Sequence, residues 1–150
     1  MRKILIFFIL ILLSNCSGYS PIFSSKITNF YIEEIIVNDD NKLIRRIIKN
    51  LKPYTINNNK KKIRLELDLK LSESVILRDE KGDVASQEMK ITLNVKSILQ
   101  DKKVREYTFI ENFSFNNQSN KFELNQYKKN VQSNMIDKIY EDLIIKLRTL

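Results

Sequence analysis

Ile63-Arg64-Leu65-Glu66-Leu67-Asp68-Leu69-Lys70-Leu71 alternates aliphatic and charged residues without a break. Successive side chains of an extended chain point to opposite faces, so the five aliphatics share one face and the four charges the other. This is a half-buried strand with one dry side. Val75-Ile76-Leu77 extends it, and a kink or bulge is expected near Ser72-Glu73-Ser74. Asp79-Glu80-Lys81-Gly82-Asp83 reads as a hairpin turn, with Gly82 supplying positive φ. Its acidic residues lack the spacing of an EF-hand loop, so a solvated tip is expected rather than a calcium site. Met89, Ile91, Leu93 and Val95 then return along the dry face, alternating with Lys90, Thr92, Asn94 and Lys96. A second turn falls at Gln100-Asp101-Lys102-Lys103. The last strand holds Tyr107, Phe109, Phe113 and Phe115 in one phase, interrupted by Glu111. Period-two aromatics of this kind are core residues more often than a lipid-facing surface.

Upstream of this meander, residues 27–37 are rich in Ile, Phe and Tyr and read as a further strand. Asn38-Asp39-Asp40-Asn41 offers helix caps and acidic groups suited to a helix N-terminus. Leu43, Ile44, Ile47, Ile48 and Leu51 follow on one helical face, with Lys42, Arg45, Arg46 and Lys49 on the other, until Pro53 ends the helix. Downstream, Leu124, Tyr127, Val131, Met135, Ile139, Leu143 and Leu147 recur every three or four residues and mark a long closing helix. The order is β-α-β-β-β-α. The packing expected is an α+β two-layer sandwich: a four-stranded, mostly antiparallel sheet with two helices on one face. One domain over residues 27–150 accounts for the pattern.

Composition narrows the chemistry. The 150 residues hold no histidine, one cysteine and two glycines. Ser-His-Asp and Cys-His systems, histidine zinc sites and the usual neutral-pH acid and base are therefore excluded. Two glycines cannot build a phosphate loop or a dinucleotide fingerprint, and one cysteine cannot form an internal disulfide. No catalytic residue, metal ligand or cofactor site is expected. The formal net charge is +8, from 26 basic and 18 acidic side chains. That charge permits an anionic partner, although the chain's loading with Lys, Ile and Asn also fits AT-rich coding.

The N-terminus decides the compartment. Arg2 and Lys3 precede an unbroken apolar run from Ile4 to Leu13. Ten helical residues cover about 15 Å, half of a ~30 Å hydrocarbon core, so the run reads as a secretory signal peptide over residues 1–15 and not as a spanning helix. It stops at Leu13-Ser14-Asn15-Cys16, which resembles the bacterial lipobox, with Asn15 in place of the usual Gly or Ala. Cys16 is thus the expected lipidation site, and residues 16–26 a lipidated tether that includes Gly18 and Pro21. Several acyl chains, each burying methylenes at about 0.8 kcal/mol apiece, would hold such a protein at a membrane. Ser17 after the cysteine, by resemblance to lipoprotein sorting signals, implies the outer membrane, facing the periplasm. Cleavage leaves 24 basic and 18 acidic residues, a net +6.

The layout resembles the lipopolysaccharide-assembly lipoprotein (LptE) family of Gram-negative outer membranes. The resemblance runs through Cys16, the nearby Gly18-Tyr19-Ser20-Pro21-Ile22-Phe23, the aromatic strand Tyr107–Phe115, then Ser119, Phe122 and the closing Leu143-Ile144-Ile145-Lys146-Leu147-Arg148-Thr149-Leu150. It implies a plug-like partner of the outer-membrane β-barrel that inserts lipopolysaccharide, assisting barrel assembly and binding lipopolysaccharide itself. Three basic clusters could meet lipid A phosphates: Arg45 with Arg46, Lys60 to Lys62, and Lys102, Lys103 and Arg105 at the second turn. Each is weighed against a solvated face or a charged guard on a strand edge. The turn cluster Lys102, Lys103 and Arg105 is preferred, because a loop can offer cations without disturbing the core. The alternatives are a lipid-anchored binding module of another envelope complex and, less favoured, a periplasmic hydrolase using paired carboxylates. Nucleic acid is not an expected partner of an exported chain.

Overall fold

The computed structural model describes residues 29–56, 61–118 and 120–150. Strand β1 (Phe30–Val37) leads into helix α1 (Lys42–Leu51) and a 3₁₀ turn (Lys52–Tyr54) that contains Pro53. Strands β2 (Lys61–Arg78), β3 (Val84–Leu99) and β4 (Val104–Asn116) form a meander, and helix α2 (Lys121–Arg148) closes the chain. The sheet order is β1-β2-β3-β4. β1 runs parallel to β2, which requires a crossover, and α1 supplies it; the other two pairings are antiparallel. This is the α+β, four-stranded, mostly antiparallel architecture that the hydrophobic periods predict.

Register fixes the dry face. Leu65 opposes Ser97, Leu67 opposes Val95 and Leu69 opposes Leu93, so the odd-numbered residues of β2 and β3 share one side. The same side of β4 carries Arg105, Tyr107, Phe109, Glu111, Phe113 and Phe115. Against it pack Ile44, Ile47 and Leu51 of α1 and Leu124, Val131, Met135, Ile136, Ile139, Leu143, Ile144 and Leu147 of α2, all in one core. Each such aliphatic contributes about 1.5–3 kcal/mol when fully removed from water. Both helices therefore cover one face. The opposite face is polar, with Glu66 near Lys96 and Thr108 Oγ1 donating to Asn94 at 2.9 Å.

Asn41 caps α1, its side-chain oxygen accepting from the amides of Leu43 and Ile44. Asn120 does the same for α2, which begins at Lys121, a turn earlier than its apolar stripe suggests. The helices are pinned to each other by polar contacts. Arg46 makes a two-pronged ion pair with Asp137 and donates to Ser133 Oγ, and the Tyr140 hydroxyl donates to the Asn50 carbonyl. Burial first, then hydrogen bonding with Tyr54, holds the Tyr140 phenol well above its ordinary value, so it stays a neutral donor.

Three details depart from the periodic reading. Tyr127 is not in the buried stripe but stands 37 % exposed, edge-on to Phe113 and Phe115. Ile136 and Ile144 are buried in addition to the expected stripe, because a 28-residue helix packed on a twisted sheet covers a band wider than one residue per turn. The bulges of β2 lie at Val75–Arg78 rather than at Ser72–Ser74, next to the turn, where the strand twist has to be absorbed. Gly82 has φ +86°, as its place in the turn requires. Glu111, which breaks the aromatic phase of β4, reaches out from the dry face to Lys138 of α2 at 3.0 Å.

Candidate functional site

Cys16, the signal peptide expected over residues 1–15 and the tether expected over residues 16–26 lie outside the described residues. The described chain nevertheless begins at Asn29, at the end of the sheet where Phe30 pairs with Lys61. The β3–β4 turn lies at this same end, since Ile63 pairs with Leu99. The preferred basic turn therefore lies at the chain-entry end of the sheet, two strand positions from β1.

The three basic clusters have different surroundings. Arg45 is held by Asp40 at 2.7 Å, and Arg46 by Asp137 at 2.6 Å. Both guanidiniums are consumed within the fold, and the side-chain hydrogen bonds push both still further toward the charged form. Of the second cluster, Lys60 lies outside the described residues. Lys61 donates to the Leu150 carbonyl at 2.8 Å, and Lys62 pairs with Glu33. Each described cation of these two clusters thus has a partner within the chain. At the third, Lys103 pairs with Asp101 at 3.1 Å, whereas no salt bridge involves Lys102 or Arg105 among the described residues. The turn is the least neutralised of the three.

The local geometry is a hairpin closed by two backbone bonds, Leu99 N–H to the Lys103 carbonyl and Lys102 N–H to the Leu99 carbonyl, both 2.9 Å. Asp101 Oδ1 accepts from the Lys103 amide at 3.3 Å. The Lys103 ammonium beside it, followed by that amide, keeps the Asp101 carboxyl below its ordinary value. Lys102 adopts φ 62°, the sole positive φ outside glycine among the described residues. A glycine there would be free of the roughly 1 kcal/mol that left-handed geometry imposes on a side chain. The hairpin closure asks for this left-handed geometry, and among the described residues the Lys102 ammonium has no carboxylate partner.

Arg105 projects from the helix-covered face of β4 opposite Ser97, at the margin of the sheet, where it remains exposed. Two residues along that face, the Tyr107 ring carries the Lys146 ammonium 5.3 Å from its centre. Lys146 thus lies at the residue two positions along the same face of β4 from Arg105. It escapes sequence reading because it occupies a polar position of α2 like any other solvated lysine. The pairing of β4 with the last turns of α2 brings it here. Phe115 is buried in the core and Tyr107 and Phe109 are packed against it, so these aromatics do not form a lipid-facing strip. Phe113 remains 37 % exposed.

No family model matches the chain, and no curated protein matches it in sequence. Solved structures do match its fold. Rare lipoprotein B from Shewanella oneidensis aligns with a TM-score of 0.54 at 14% identity, over 75% of this chain and 95% of that one. A minor lipoprotein from Acinetobacter baumannii gives 0.60 at 9% identity over 82% and 92%, and a lipoprotein B from Nitrosomonas europaea 0.59 at 11% over 87% and 88%. At these identities the likeness is one of fold, and it extends over nearly the whole of each of these chains.

Proposed function

We propose that the chain is an envelope lipoprotein, acylated at Cys16, that serves lipopolysaccharide assembly at the outer membrane as the partner of a β-barrel, and that takes no part in catalysis. The observation that carries this reading is the fold, which bacterial lipoproteins share across most of its length. The N-terminal pattern of charge, ten apolar residues and a cysteine supports it independently. Lys102, Lys103 and Arg105, joined by Lys146, are the proposed contacts for lipid A phosphates through charge-assisted hydrogen bonds. Their place at the chain-entry end keeps them within reach of a lipid-held tether. The polar outer face of the sheet suits a wet barrel lumen.

Depletion of the protein in its own bacterium, scored by lipopolysaccharide reaching the cell surface, is the direct test; unchanged surface lipopolysaccharide rules the role out. Recovery of an outer-membrane barrel with the tagged full chain tests the partner. Cys16→Ala is expected to abolish acyl labelling and membrane retention. Replacing Lys102, Lys103 and Arg105 by alanine is expected to weaken lipopolysaccharide binding while the circular dichroism of the domain is unchanged. Equal binding would return the cluster to ordinary surface charge.

A further inference from the structure

Strand β2 is eighteen residues long, but its neighbour β1 accompanies it only as far as Leu67, opposite Val37. Beyond that point the chain leaves the sheet through Asp39 and Asp40 into α1. The remainder of β2 is paired with β3 on one side and, among the described residues, with no strand on the other. Which backbone groups are left open follows from the hydrogen bonds at the paired end. The Lys61 amide donates to Asn29, and the Leu67 carbonyl accepts from Asn38, so odd-numbered residues of β2 direct N–H and C=O toward β1. Leu69, Leu71, Glu73 and Val75 therefore present a row of unpaired strand groups. At about 3.3 Å per residue the row is about 20 Å long.

Beside this edge lies a groove of 660 Å³, whose apolar lining is Leu43 of α1 with Leu69 and Leu71 of β2, and whose polar rim includes Asp39, Lys42, Lys70 and Gln132. The paired half of the same edge shows what it accepts. There β1 places Ile35 and Val37 toward the core and turns its glutamates outward, Glu33 onto Lys62 and Glu34 onto Arg64, the latter at 2.6 Å. Each outward cation of β2 thus meets a carboxylate from the adjoining strand. The next outward cation is Lys70. Its side chain is 74 % exposed and, among the described residues, has only Asp68 of its own strand as an ion-pair partner, at 3.8 Å.

We propose that the open edge of β2 from Leu69 to Val75 docks an extended strand from a partner polypeptide, in the lane that β1 vacates. The incoming strand carries a carboxylate opposite Lys70 and branched aliphatic side chains at the alternate positions that face the groove. Main-chain bonds to the four odd residues supply attachment, and the groove and Lys70 supply selection. This stands apart from the lipopolysaccharide reading, which rests on the other end of the molecule.

The probe is a fluorescein-labelled peptide with the β1 sequence Tyr31–Val37 between Ser-Gly flanks, titrated into the full chain in detergent. Saturable binding is expected, together with slowed amide exchange at Leu69, Leu71 and Glu73. Lys70→Glu is expected to weaken binding about fivefold, and a peptide with both glutamates changed to lysine is expected to restore it. Leu71→Pro removes an amide that bonds nothing within the sheet, so binding is lost while the fold persists. Unchanged exchange at those amides on peptide addition overturns the proposal without recourse to any variant. So does binding that survives Leu71→Pro, which would place the peptide in β1's own position. A dimer of the chain alone that Leu71→Pro dissolves would assign the edge to a second copy, and would likewise overturn it.

Discussion

The two halves of β2 carry nearly the same alternation and live in different worlds. From Ile63 to Leu67 the strand is flanked on both sides and roofed by α1 and α2, and its aliphatics are almost wholly buried. From Leu71 to Leu77 it has one neighbouring strand among the described residues and little cover, α2 reaching it through Lys128 on Glu73 at 2.7 Å; Leu71 is 40 % exposed and Leu77 60 %. Alternation reports the period of an extended chain. Burial depends on how far the covering layer reaches, and α1 ends the roof on this side because it is only ten residues long.

Hydrogen exchange should give the largest contrast. In the covered half both odd and even amides of β2 are bonded, and uniform protection is expected. In the projecting half Lys70 and Ser72 face β3 and should be protected, whereas Leu71 and Glu73 should exchange faster by on the order of a thousandfold. Uniform protection along the whole strand would abolish the distinction. Core truncation comes next. Leu65→Ala should cost about 3 kcal/mol in denaturant unfolding, and Leu77→Ala less than about 0.5 kcal/mol. Similar costs would mean that the projecting half is covered in solution.

The two hairpin turns extend the contrast to backbone geometry. Gly82 and Lys102 both have positive φ, and an added Cβ at Gly82 meets nothing within 4 Å. Gly82→Ala should therefore cost about 1 kcal/mol through conformation alone, and Lys102→Gly should stabilise by up to about 1 kcal/mol while weakening lipopolysaccharide binding. Loss of stability in Lys102→Gly would show that the lysine is kept for folding. The smallest effect belongs to pH. Asp101 lies below its ordinary 3.8 because Lys103 hydrogen-bonds to it. A depressed carboxyl adds stability above its unfolded value and loses it as pH falls through the lowered one. Asp101→Asn should thus lower stability by a small, constant amount across pH 5 to 8 and converge with the parent as pH falls below about 4; a difference that persists undiminished in acid would show that the carboxylate's charge is not what is lost.

Most of the sheet and both helices were legible because they follow two periods, 2 and 3.6, and because Pro53, Gly82 and the asparagine caps punctuate them. The parallel entry of β1 was implicit in a helix standing between two strands. What was not legible depends on distances across the fold. Arg46 and Arg45 look alike in sequence, yet Asp137, ninety-one residues away, turns one of them into a clamp between helices. Glu111 looks like an error in the aromatic strand until Lys138 arrives beside it. At the candidate site the turn cluster was readable as a run of cations. The strain on Lys102 and the arrival of Lys146 were not, since a backbone angle and a cross-element approach leave no local pattern.

The parallel placement of β1 has a consequence for the order in which the fold is lost. β2, β3 and β4 are joined by short turns, so their contacts close small loops, and α2 can hold them through its own apolar stripe. β1 is joined to the meander only across the α1 crossover, at an outer position with a single neighbour among the described residues. On warming, β1 and α1 are therefore expected to detach as one unit before the meander melts. Such a partly opened chain would bare the remaining edge of β2 from Lys61 to Leu67 and extend the open row along the entire strand.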